Sequence, residues 1–518
     1  MSTDSEDVLF QSHLSSRTYI LNRPNKLNAL DESMLNTLRP KIVEFAAADL
    51  CKLIIGRGNG RAFCAGGDVA SVVRQAAHPS TRPRAVDFFK REFEMDYLLA
   101  SLGKPYVAIM DGITMGGGAG LCMQAPFRIA TENTKFAMPE TKIGYSPDVG
   151  ASAFLARLDG ALGPYLALTS ETIVGREVYE LGLATHFVPS ASVPALLRAL
   201  EALEEPSWET VDAVVEAWYE GAGDTGEAKL SAFAQTGHGH PQTQTPAHTG
   251  RLARPSGPHT GAVRAALDAA FSYRSVADIL DALLLLSHRS SLPDAALDVG
   301  FRNFTREEVV EAEAWARRTR EALGARSPTS LVVALEAQRR GREALERGGN
   351  VLREALGMEL GVATAFVNGA SPDFATGVRA VLIDKLPKDQ RPAWEPSDIE
   401  AINEDEIIKK FFDESSPFFD PKPQLDIPKE FAERPISDPN RYALPSEKEI
   451  ESVIRGSHRT SGDFGMTVEE LVDKCERDLA PGSRKSRRTK GGIREKVVDV
   501  VRRKCEVEEE GKWVKWRG

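Results

Sequence analysis

Short apolar runs alternate with amphipathic stretches over the first two hundred residues. Arg17–Leu21 and Lys52–Ile55 are rich in strand-forming residues, and between them Asp31 precedes apolar residues at helical spacing. Aspartate is a preferred helix cap, so a helix beginning after Asp31 is predicted. Lys104–Met110 is a third apolar run, and the glycine-rich stretch Gly116–Gly120 follows it. Strands that alternate with helices in this way predict an α/β fold with crossover connections.

Helical spacing dominates the following residues, with one interruption. Val193–Leu203 and Trp208–Tyr219 have apolar residues at helical spacing, and the pattern resumes in Gly261–Gly357. Within that stretch, Ser327 before a proline is typical of a helix start. Residues 220–260 are rich in Gly, Pro, Thr and Gln and hold four of the nine histidines. This composition predicts disorder, and a metal-binding role for the histidines is the alternative.

Residues 397–518 form an extension in which the sign of the charge changes. Glu404–Asp438 is acidic and rich in proline, and Leu444–Ile454 is a candidate helix. Arg484–Lys504 holds ten Lys or Arg residues against two acids, a balance of 10 − 2 = +8. Two interpretations are open for this basic segment: a solvated amphipathic helix over residues 493–501 with a flexible basic lead, or a surface that contacts RNA.

Composition limits the classes of protein. The 518 residues, 42% of them hydrophobic, can bury a large core and form more than one domain. A net charge of −10 argues against a general nucleic-acid binder. No apolar run is long enough to cross a bilayer, so no membrane association is expected. The five cysteines lack CxxC or metal-like spacing, so neither a disulfide framework nor a zinc site built on them is expected and a reducing compartment is the default.

Two glycine-rich loops and two acids provide the candidate chemistry. Arg61–Val69 contains Phe-Cys-Ala-Gly-Gly-Asp, and the loop Gly116–Gly120 is followed by Glu140 in Pro-Glu-Thr and by Asp148 in Pro-Asp-Val-Gly. Glycines lack a Cβ, so their backbone N–H groups can approach a carbonyl oxygen, and the prolines fix the backbone beside the acids. The combination points to acyl chemistry, with an oxyanion site beside a nucleophile or base.

The four motifs, in this order, resemble those of the crotonase (enoyl-CoA hydratase/isomerase) superfamily, and within it the 3-hydroxyisobutyryl-CoA hydrolases. The resemblance spans residues 7–396, and Asp373–Lys385 with Pro392–Trp394 resembles the hydrolase branch more than the hydratases. It implies a crotonase-like core, a superhelical spiral of ββα units, with a helical C-terminal region. It also implies hydrolysis of the 3-hydroxyisobutyryl-CoA thioester in valine catabolism, with no cofactor other than the CoA of the substrate.

The same resemblance implies roles for individual residues. The N–H groups of Gly67 and Gly117 would form the oxyanion hole, Glu140 and Asp148 would be the catalytic acids, and Glu92 would join them and Gly117 in binding the substrate. Glu140 would either attack the thioester, giving a mixed anhydride, or activate a water molecule, and the sequence leaves both routes open. Negative charges held close together in one site would raise the pKa of one acid of the group.

Gly120 separates the branches of the superfamily. Hydratases that resemble this chain carry a glutamate at this position, so a two-glutamate addition of water lacks one partner here. A hydratase or isomerase activity on another acyl-CoA is therefore a third, less favoured hypothesis. A nucleophilic role for Cys64 is not expected, because no histidine accompanies it in the motifs.

Weaker matches concern the CoA portion of the substrate. Lys26, Arg61, Ala62 and Gly66 lie at positions that contact CoA in the family, largely through the backbone. Lys26 and Arg61 are candidates for contacts to phosphate, although surface cations are more often simply solvated.

The resemblance divides the chain into an acyl-CoA core (7–205), a helix with a low-complexity insert expected to be disordered (206–260), the helical part of a hydrolase (261–396) and an extension with a basic tail (397–518). Some fungal proteins with similar extensions are components of the mitochondrial small ribosomal subunit. An assembly role, with rRNA contact through the basic tail, is therefore the second hypothesis. The family implies a mitochondrial location, although the acidic first residues do not resemble a transit peptide. The oligomeric state is left open.

Overall fold

The computed structural model describes residues 6–219, 257–288, 301, 303–387, 390–420, 423–458, 465–480, 490–507 and 513–517. Most of the insert predicted to be disordered lies outside the described residues, and so do the four Lys or Arg residues at 484, 485, 487 and 488. His259, at the end of that insert, is buried: its Nδ1 lies 2.9 Å from Glu177 Oε1 and its Nε2 lies 2.9 Å from the Tyr165 hydroxyl.

The N-terminal part alternates strands and helices as predicted. Its elements are β1 (Val8–His13), β2 (Ser16–Leu21), α1 (Glu32–Ala47), β3 (Leu53–Gly58), β4 (Ala62–Cys64), α2 (Val69–Ala76), α3 (Arg82–Ala100), β5 (Tyr106–Met110), β6 (Ile113–Met115), α4 (Gly117–Met123), β7 (Phe127–Ala130), β8 (Lys135–Ala137), α5 (Ala151–Phe154), α6 (Leu162–Thr169), β9 (Ile173–Val174), α7 (Glu177–Glu180), β10 (His186–Phe187), α8 (Val193–Glu201) and α9 (Trp208–Glu216).

The C-terminal part is helical apart from one small hairpin. Its elements are α10 (Gly261–Ala270), α11 (Val276–Leu286), α12 (Arg306–Gly324), α13 (Pro328–Arg347), α14 (Val351–Val367), α15 (Asp373–Val378), α16 (Glu404–Phe412), α17 (Lys429–Ala432), α18 (Glu447–Ile454), α19 (Val468–Asp478), α20 (Ile493–Lys504), β11 (Cys505–Val507) and β12 (Val514–Trp516).

Two sheets form the core, and strands β3 to β8 alternate between them. The larger sheet has the order β1-β2-β3-β5-β7-β10 and is parallel from β2 onward; the smaller has the order β4-β6-β8-β9. Each turn of chain thus places one strand in each sheet before a helix: β3-β4-α2, then β5-β6-α4, then β7-β8 and a 3-10 turn at Glu140–Ile143. The predicted α/β spiral of ββα units with a helical C-terminal region is confirmed.

The larger sheet is buried on both faces, as a parallel sheet must be. Ile55 and Val107 belong to a cluster with Leu196 of α8 and Val214 of α9, whereas Ile54 belongs to the main core with residues of α1 and α3. Alternate side chains of a strand point to opposite faces, so helices on the two sides enclose these strands.

Two helix starts predicted from the sequence are confirmed. The Asp31 side chain accepts a hydrogen bond from the Met34 N–H at 2.9 Å, and the Ser327 hydroxyl accepts one from the Ser330 N–H at 3.1 Å. Each satisfies an N–H that has no acceptor within the first helical turn.

The C-terminal extension packs against the core. Arg128 of β7 is fully buried and donates a hydrogen bond to Asn440 Oδ1 at 2.9 Å, and Phe127 stacks on Tyr442 with ring centroids 4.6 Å apart. Farther along the fold, Phe411 of α16 contacts Phe366 of α14 with centroids 4.5 Å apart. The extension therefore completes the core.

The helix predicted over residues 493–501 is confirmed as part of α20, but the prediction that its charges are solvated is wrong for the described part of the basic segment. All six Lys and Arg residues of the segment that the structure describes form ion pairs with acids, namely Lys490, Arg494, Lys496, Arg502, Arg503 and Lys504. Most of the partner acids come from elements distant in sequence, which local charge counting cannot reveal. The RNA-contact interpretation stays a prediction, and it now rests on the four basic residues outside the described part.

No helix in the part of the chain that the structure describes has the length and apolar character needed to span a membrane.

Candidate active site

The two glycine loops follow β4 and β6, neighbouring strands of the smaller sheet, and approach each other at one point, the loop crossing. Gly66 and Gly116 have φ values of +113° and +48°, a backbone conformation that favours glycine, and each precedes one predicted oxyanion residue. A Cβ built on Gly117 would lie 3.3 Å from the Gly67 nitrogen, and one built on Gly66 would lie 3.7 Å from the Gly117 nitrogen. The structure thus brings Gly67 and Gly117 together.

The N–H groups of these two glycines are available as donors. Gly117 is the first residue of α4, so its N–H has no acceptor within the helix. In the first glycine loop, the Leu30 N–H donates to the Gly66 carbonyl oxygen and the Asp68 N–H donates to the Leu30 carbonyl oxygen. The Gly67 N–H takes no part in this pair of hydrogen bonds. Among the residues that the structure describes, neither N–H donates to a protein acceptor.

Two carboxyl groups reach the same crossing from different elements. Glu92 of α3 is buried, and its Oε1 would lie 2.1 Å from a Cβ on Gly117 and 3.5 Å from one on Gly67. Glu140, in the 3-10 turn after β8, is buried too, and its Oε1 would lie 3.0 Å from a Cβ on Gly116. Glu92 Oε1 and Glu140 Oε2 have no hydrogen-bond partner among the described residues. Unpaired donors and unpaired acceptors therefore share one small buried space.

Asp148 lies on the loop that leads into α5. It is buried, and its Oδ2 accepts a hydrogen bond from the Tyr145 hydroxyl at 2.9 Å. The Tyr145 ring stacks on Phe89 of α3 and contacts Phe374 of α15, with centroids 5.4 and 4.7 Å away. Aromatic side chains from the N-terminal and C-terminal parts of the chain thus orient the Tyr145 hydroxyl that donates to Asp148.

Burial changes the acidity of this group. Loss of solvation raises the pKa of Glu92 to about 8. Loss of solvation, together with repulsion from Glu92 and Glu359, raises the pKa of Glu140 to about 8. The same two causes raise the pKa of Asp148 well above its ordinary value. None of these three acids forms an ion pair with a cation in the described part of the chain. At neutral pH the group therefore retains protons.

Two further buried acids adjoin the site and were missed by the sequence analysis. Asp96 lies one helical turn after Glu92 on α3, is fully buried, and has no hydrogen-bond partner at either carboxyl oxygen among the described residues. Its Oδ2 would lie 2.6 Å from a Cβ on Gly120, so it fills the room that a side chain at position 120 would need. Glu359 of α14 is the second, and it binds the backbone after Asp148. An acid at helical spacing from Glu92 was the only available signal for Asp96; none pointed to Glu359.

A cleft of about 540 Å³ between α1, α2 and α3 leads towards the crossing. Phe88 lines it and also lies 3.2 Å from the position of a Cβ on Gly67. Two of the residues predicted to contact CoA lie outside this cleft: Lys26 and Arg61 are exposed and do not line it. The carbonyl oxygens of Ala62 and Gly66 already accept hydrogen bonds, from Asn28 Nδ2 at 2.7 Å and from the Leu30 N–H at 2.8 Å.

The cysteines near the loops are poorly suited to nucleophilic chemistry. Cys64 and Cys122 are fully buried, and burial raises the pKa of the Cys64 thiol to about 12 and that of Cys122 still further. A thiol, rather than the reactive thiolate, therefore prevails at both positions.

One group of side chains among the described residues has the spacing of a metal site: His186, Asp212 and Glu216, on the far side of the larger sheet. An ammonium group already balances one of its two carboxylates, since Lys490 Nζ lies 3.0 Å from Glu216 Oε2. His186 Nε2 lies 3.1 Å from Asp212 Oδ1, and the cluster fastens the extension to the core.

Fold and site together define a class: a crotonase-fold protein in which two crossing loops present backbone donors to buried acids. The chain belongs to the enoyl-CoA hydratase/isomerase family, whose model matches residues 16–412. It is 35% identical to small ribosomal subunit protein mS47 of Neurospora crassa, over 99% of this chain and 88% of that protein. It is 34% identical to the mitochondrial 3-hydroxyisobutyryl-CoA hydrolase of Rattus norvegicus, over 79% of this chain and 89% of that enzyme. Among solved structures, a carnitinyl-CoA dehydratase from Mycobacterium thermoresistibile matches with a TM-score of 0.60 and 27% identity, covering 82% of this chain and all of that one.

Proposed function

We propose that this chain hydrolyses the thioester of 3-hydroxyisobutyryl-CoA, releasing 3-hydroxyisobutyrate and CoA. The observation that carries the proposal is the pairing of two free N–H donors, on Gly67 and Gly117, with the unpaired carboxyl oxygens of Glu92 and Glu140. Curated relatives named as 3-hydroxyisobutyryl-CoA hydrolases support the choice of substrate.

In the proposed reaction the thioester oxygen accepts hydrogen bonds from Gly67 and Gly117, and these strengthen as negative charge develops on it. Each such donor is typically worth roughly 3–4 kcal/mol in the transition state. Glu140 then acts as a carboxylate, either by attacking the carbonyl carbon or by taking a proton from the attacking water. On the general-base route the C–S bond breaks, and the leaving sulfur takes up the proton that Glu140 removed from water. On the attack route the C–S bond breaks as the mixed anhydride forms, and water then opens the anhydride, which releases 3-hydroxyisobutyrate, restores Glu140 and supplies the proton of the CoA thiol.

Asp148 and Glu92 serve the acyl end of the substrate. A buried carboxylate can accept a hydrogen bond from the substrate hydroxyl, and a site of that kind discriminates strongly against an analogue without the hydroxyl. Asp148 Oδ2 already accepts a hydrogen bond from the Tyr145 hydroxyl, which leaves Asp148 Oδ1 for the substrate or for water.

Kinetics of thiol release test the proposal over three CoA esters: 3-hydroxyisobutyryl-CoA, its deoxy analogue isobutyryl-CoA, and crotonyl-CoA with hydration followed in parallel. We expect release from the first substrate and much slower release from the second. Hydration of crotonyl-CoA without thiol release would instead favour the hydratase hypothesis, and absence of any thiol release would defeat the hydrolase proposal.

A second function is favoured by a separate observation. The match to the ribosomal protein mS47 covers 99% of this chain, extension included, whereas the match to the rat hydrolase covers 79%. We therefore propose that the chain is also a component of a mitochondrial small ribosomal subunit. The mitochondrial location of the rat enzyme agrees with this placement.

Sedimentation tests the ribosomal role. Replacing the four basic residues at 484, 485, 487 and 488 with glutamine removes charge while leaving the ion pairs of α20 intact. We expect the wild-type chain to sediment with small subunits and the variant to dissociate at lower salt, because contacts to phosphate are salt-sensitive. Co-sedimentation that the substitutions leave unchanged would exclude the basic tail as the contact.

A further inference from the structure

The backbone after Asp148 is held in an unusual conformation. Val149 and Gly150 have φ values of +56° and +84°, in the left-handed region. Glycine adopts this region easily, but a β-branched residue such as valine rarely does. Such a conformation persists only when its surroundings hold it in place, and it is typical of functional loops.

Glu359 of α14 holds this backbone. Its Oε2 accepts a hydrogen bond from the Gly150 N–H at 2.6 Å, and its Oε1 accepts bonds from the Ser152 N–H at 2.8 Å and the Ser152 hydroxyl at 2.6 Å. Glu359 is itself buried, with 2% of its surface exposed. Three short bonds to a buried carboxyl group fix the positions of residues 150 and 152, and so the direction in which Asp148 leaves the loop.

The same helix supports the loop by packing. A Cβ on Gly150 would lie 2.9 Å from Leu352 Cδ1 and 3.7 Å from Leu356 Cδ2, so α14 presses directly on this glycine. Leu352, Leu356 and Glu359 occupy one face of α14, at spacings of four and three residues. The helical C-terminal part therefore reaches the loop with one polar and two apolar side chains.

Glu359 also acts on Asp148 electrostatically. The titratable groups that interact with Asp148 or its neighbours are acids and one phenol: Glu92 and Asp96 from α3, Glu140, and Tyr145. The Gln124 amide, which accepts a hydrogen bond from Arg157 at 3.5 Å, also lies beside Gly150. Neither Glu359 nor Asp148 has an ion pair with a Lys or Arg residue that the structure describes. A negative charge on Glu359 therefore raises the pKa of Asp148 and of Glu140.

We propose that Glu359 is a positioning residue of the hydrolase site, which holds the strained Asp148–Gly150 turn so that the Asp148 carboxyl group faces the substrate. The proposal rests on the proposed hydrolysis. The helical part of the chain thereby contributes indirectly to the reaction, through a residue that itself touches neither the substrate nor the oxyanion loops.

Glu359→Gln tests the proposal, with Glu354→Gln on the exposed side of the same helix as the matched control. Glutamine keeps the size of the side chain but replaces one acceptor with a donor, so one N–H of the turn loses its bond. We expect kcat for thiol release to fall by roughly tenfold to a hundredfold, because small misplacements of reacting groups have effects of this size, while KM changes little. Loss of the negative charge should also shift the pH of half-maximal kcat downwards, since it lowers the pKa of the neighbouring acids.

A purely structural role would not shift the pH profile. Wild-type kcat and an unchanged profile in Glu359→Gln would overturn the proposal, and so would a fall in kcat without a pH shift. If Glu359→Gln does not fold, Glu359→Asp retains the charge and shortens the side chain; we then expect a reduced kcat with the wild-type pH profile, and full activity would be the contrary result. A wild-type chain that releases no thiol would instead reject the proposed function itself.

Discussion

At the scale of residues, the site is defined by buried acids without cations. Glu92, Asp96, Glu140, Asp148 and Glu359 are all buried, and the described part of the chain supplies no Lys or Arg ion pair to any of them. A buried carboxylate without a counter-charge is costly, so such groups retain protons at pH values where exposed acids are ionised. The chemistry of the site should therefore depend on pH in the neutral range.

Thiol release should rise as pH increases from about 6 to about 9, because Glu140 must be ionised to act as a nucleophile or base, and the fraction ionised grows as pH passes its raised pKa. Burial raises the pKa of Glu140 to about 8, so the half-maximal rate is expected near that pH. Initial rates of thiol release across this range at saturating substrate measure it. A rate that is flat across the range would show that Glu140 is already ionised at pH 6.

Asp96 should be a net cost to stability. Its two carboxyl oxygens have no partner among the described residues, and it packs against Gly120. Asp96→Leu, which has nearly the same shape, should raise the free energy of unfolding at pH 8 by about 1–3 kcal/mol, the usual cost of an unsatisfied buried polar group. Denaturant unfolding of Asp96→Leu, Asp96→Asn and the wild type measures this. A leucine variant less stable than the wild type would show that Asp96 has a partner in the folded protein.

Local motifs revealed part of this site, and only part. Gly67, Gly117 and Glu140 stand in short motifs whose chemistry is readable, because each glycine or proline reports a local backbone requirement. Asp96 and Glu359 lie in ordinary helical patterns, where an acid most often faces water. Their roles come from packing between elements far apart in the sequence, and no local pattern reports that.

At the scale of elements, α20 shows how long-range pairing changes the meaning of a charged segment. The Arg503 side chain is 1% exposed; it donates to Asp499 and Glu447 at 2.6 Å each, and it lies 3.4 Å from Asp268 of α10. The sequence pattern predicts the helix. It also predicts solvated charges, because the acids that pair with these charges belong to other parts of the fold and are not visible in the local sequence.

Removing Arg503 should therefore destabilise the protein strongly. Arg503→Met removes the cation that pairs with buried Asp499 and leaves Glu447 and Asp268 paired with Arg264. Breaking a buried pair in this way typically costs about 3–5 kcal/mol of unfolding free energy. Arg494→Met on the same helix is the control: Arg494 and its partner Glu469 are exposed, so a change of at most about 1 kcal/mol is expected. Equal effects of the two substitutions in denaturant unfolding would argue against a buried role for Arg503.

At the scale of the whole molecule, acids of two kinds set the pH range of stability. The acids of the site have raised pKa values, so they stabilise the folded state at low pH and this contribution is lost as pH rises through those values. Glu447 and Asp268, beside arginines, have lowered pKa values, so their contribution is present above the ordinary carboxyl pKa and is lost in acid.

The free energy of unfolding should accordingly be greatest near about pH 5–6 and fall towards pH 9, because in this range the folded state binds more protons than the unfolded state. Denaturant unfolding at intervals of one pH unit measures the curve. Stability that rises steadily to pH 9 would contradict the protonated state of the buried acids.

The central claim is that the amides of Gly67 and Gly117 polarise a CoA thioester that Glu140 cleaves. The most direct measurement is thiol release from 3-hydroxyisobutyryl-CoA by the wild type and by Glu140→Gln, together with calorimetric binding of the same ester to the variant. The account predicts rapid release by the wild type, and a variant that binds the ester but releases no thiol above background. A Glu140→Gln variant with wild-type turnover would contradict it.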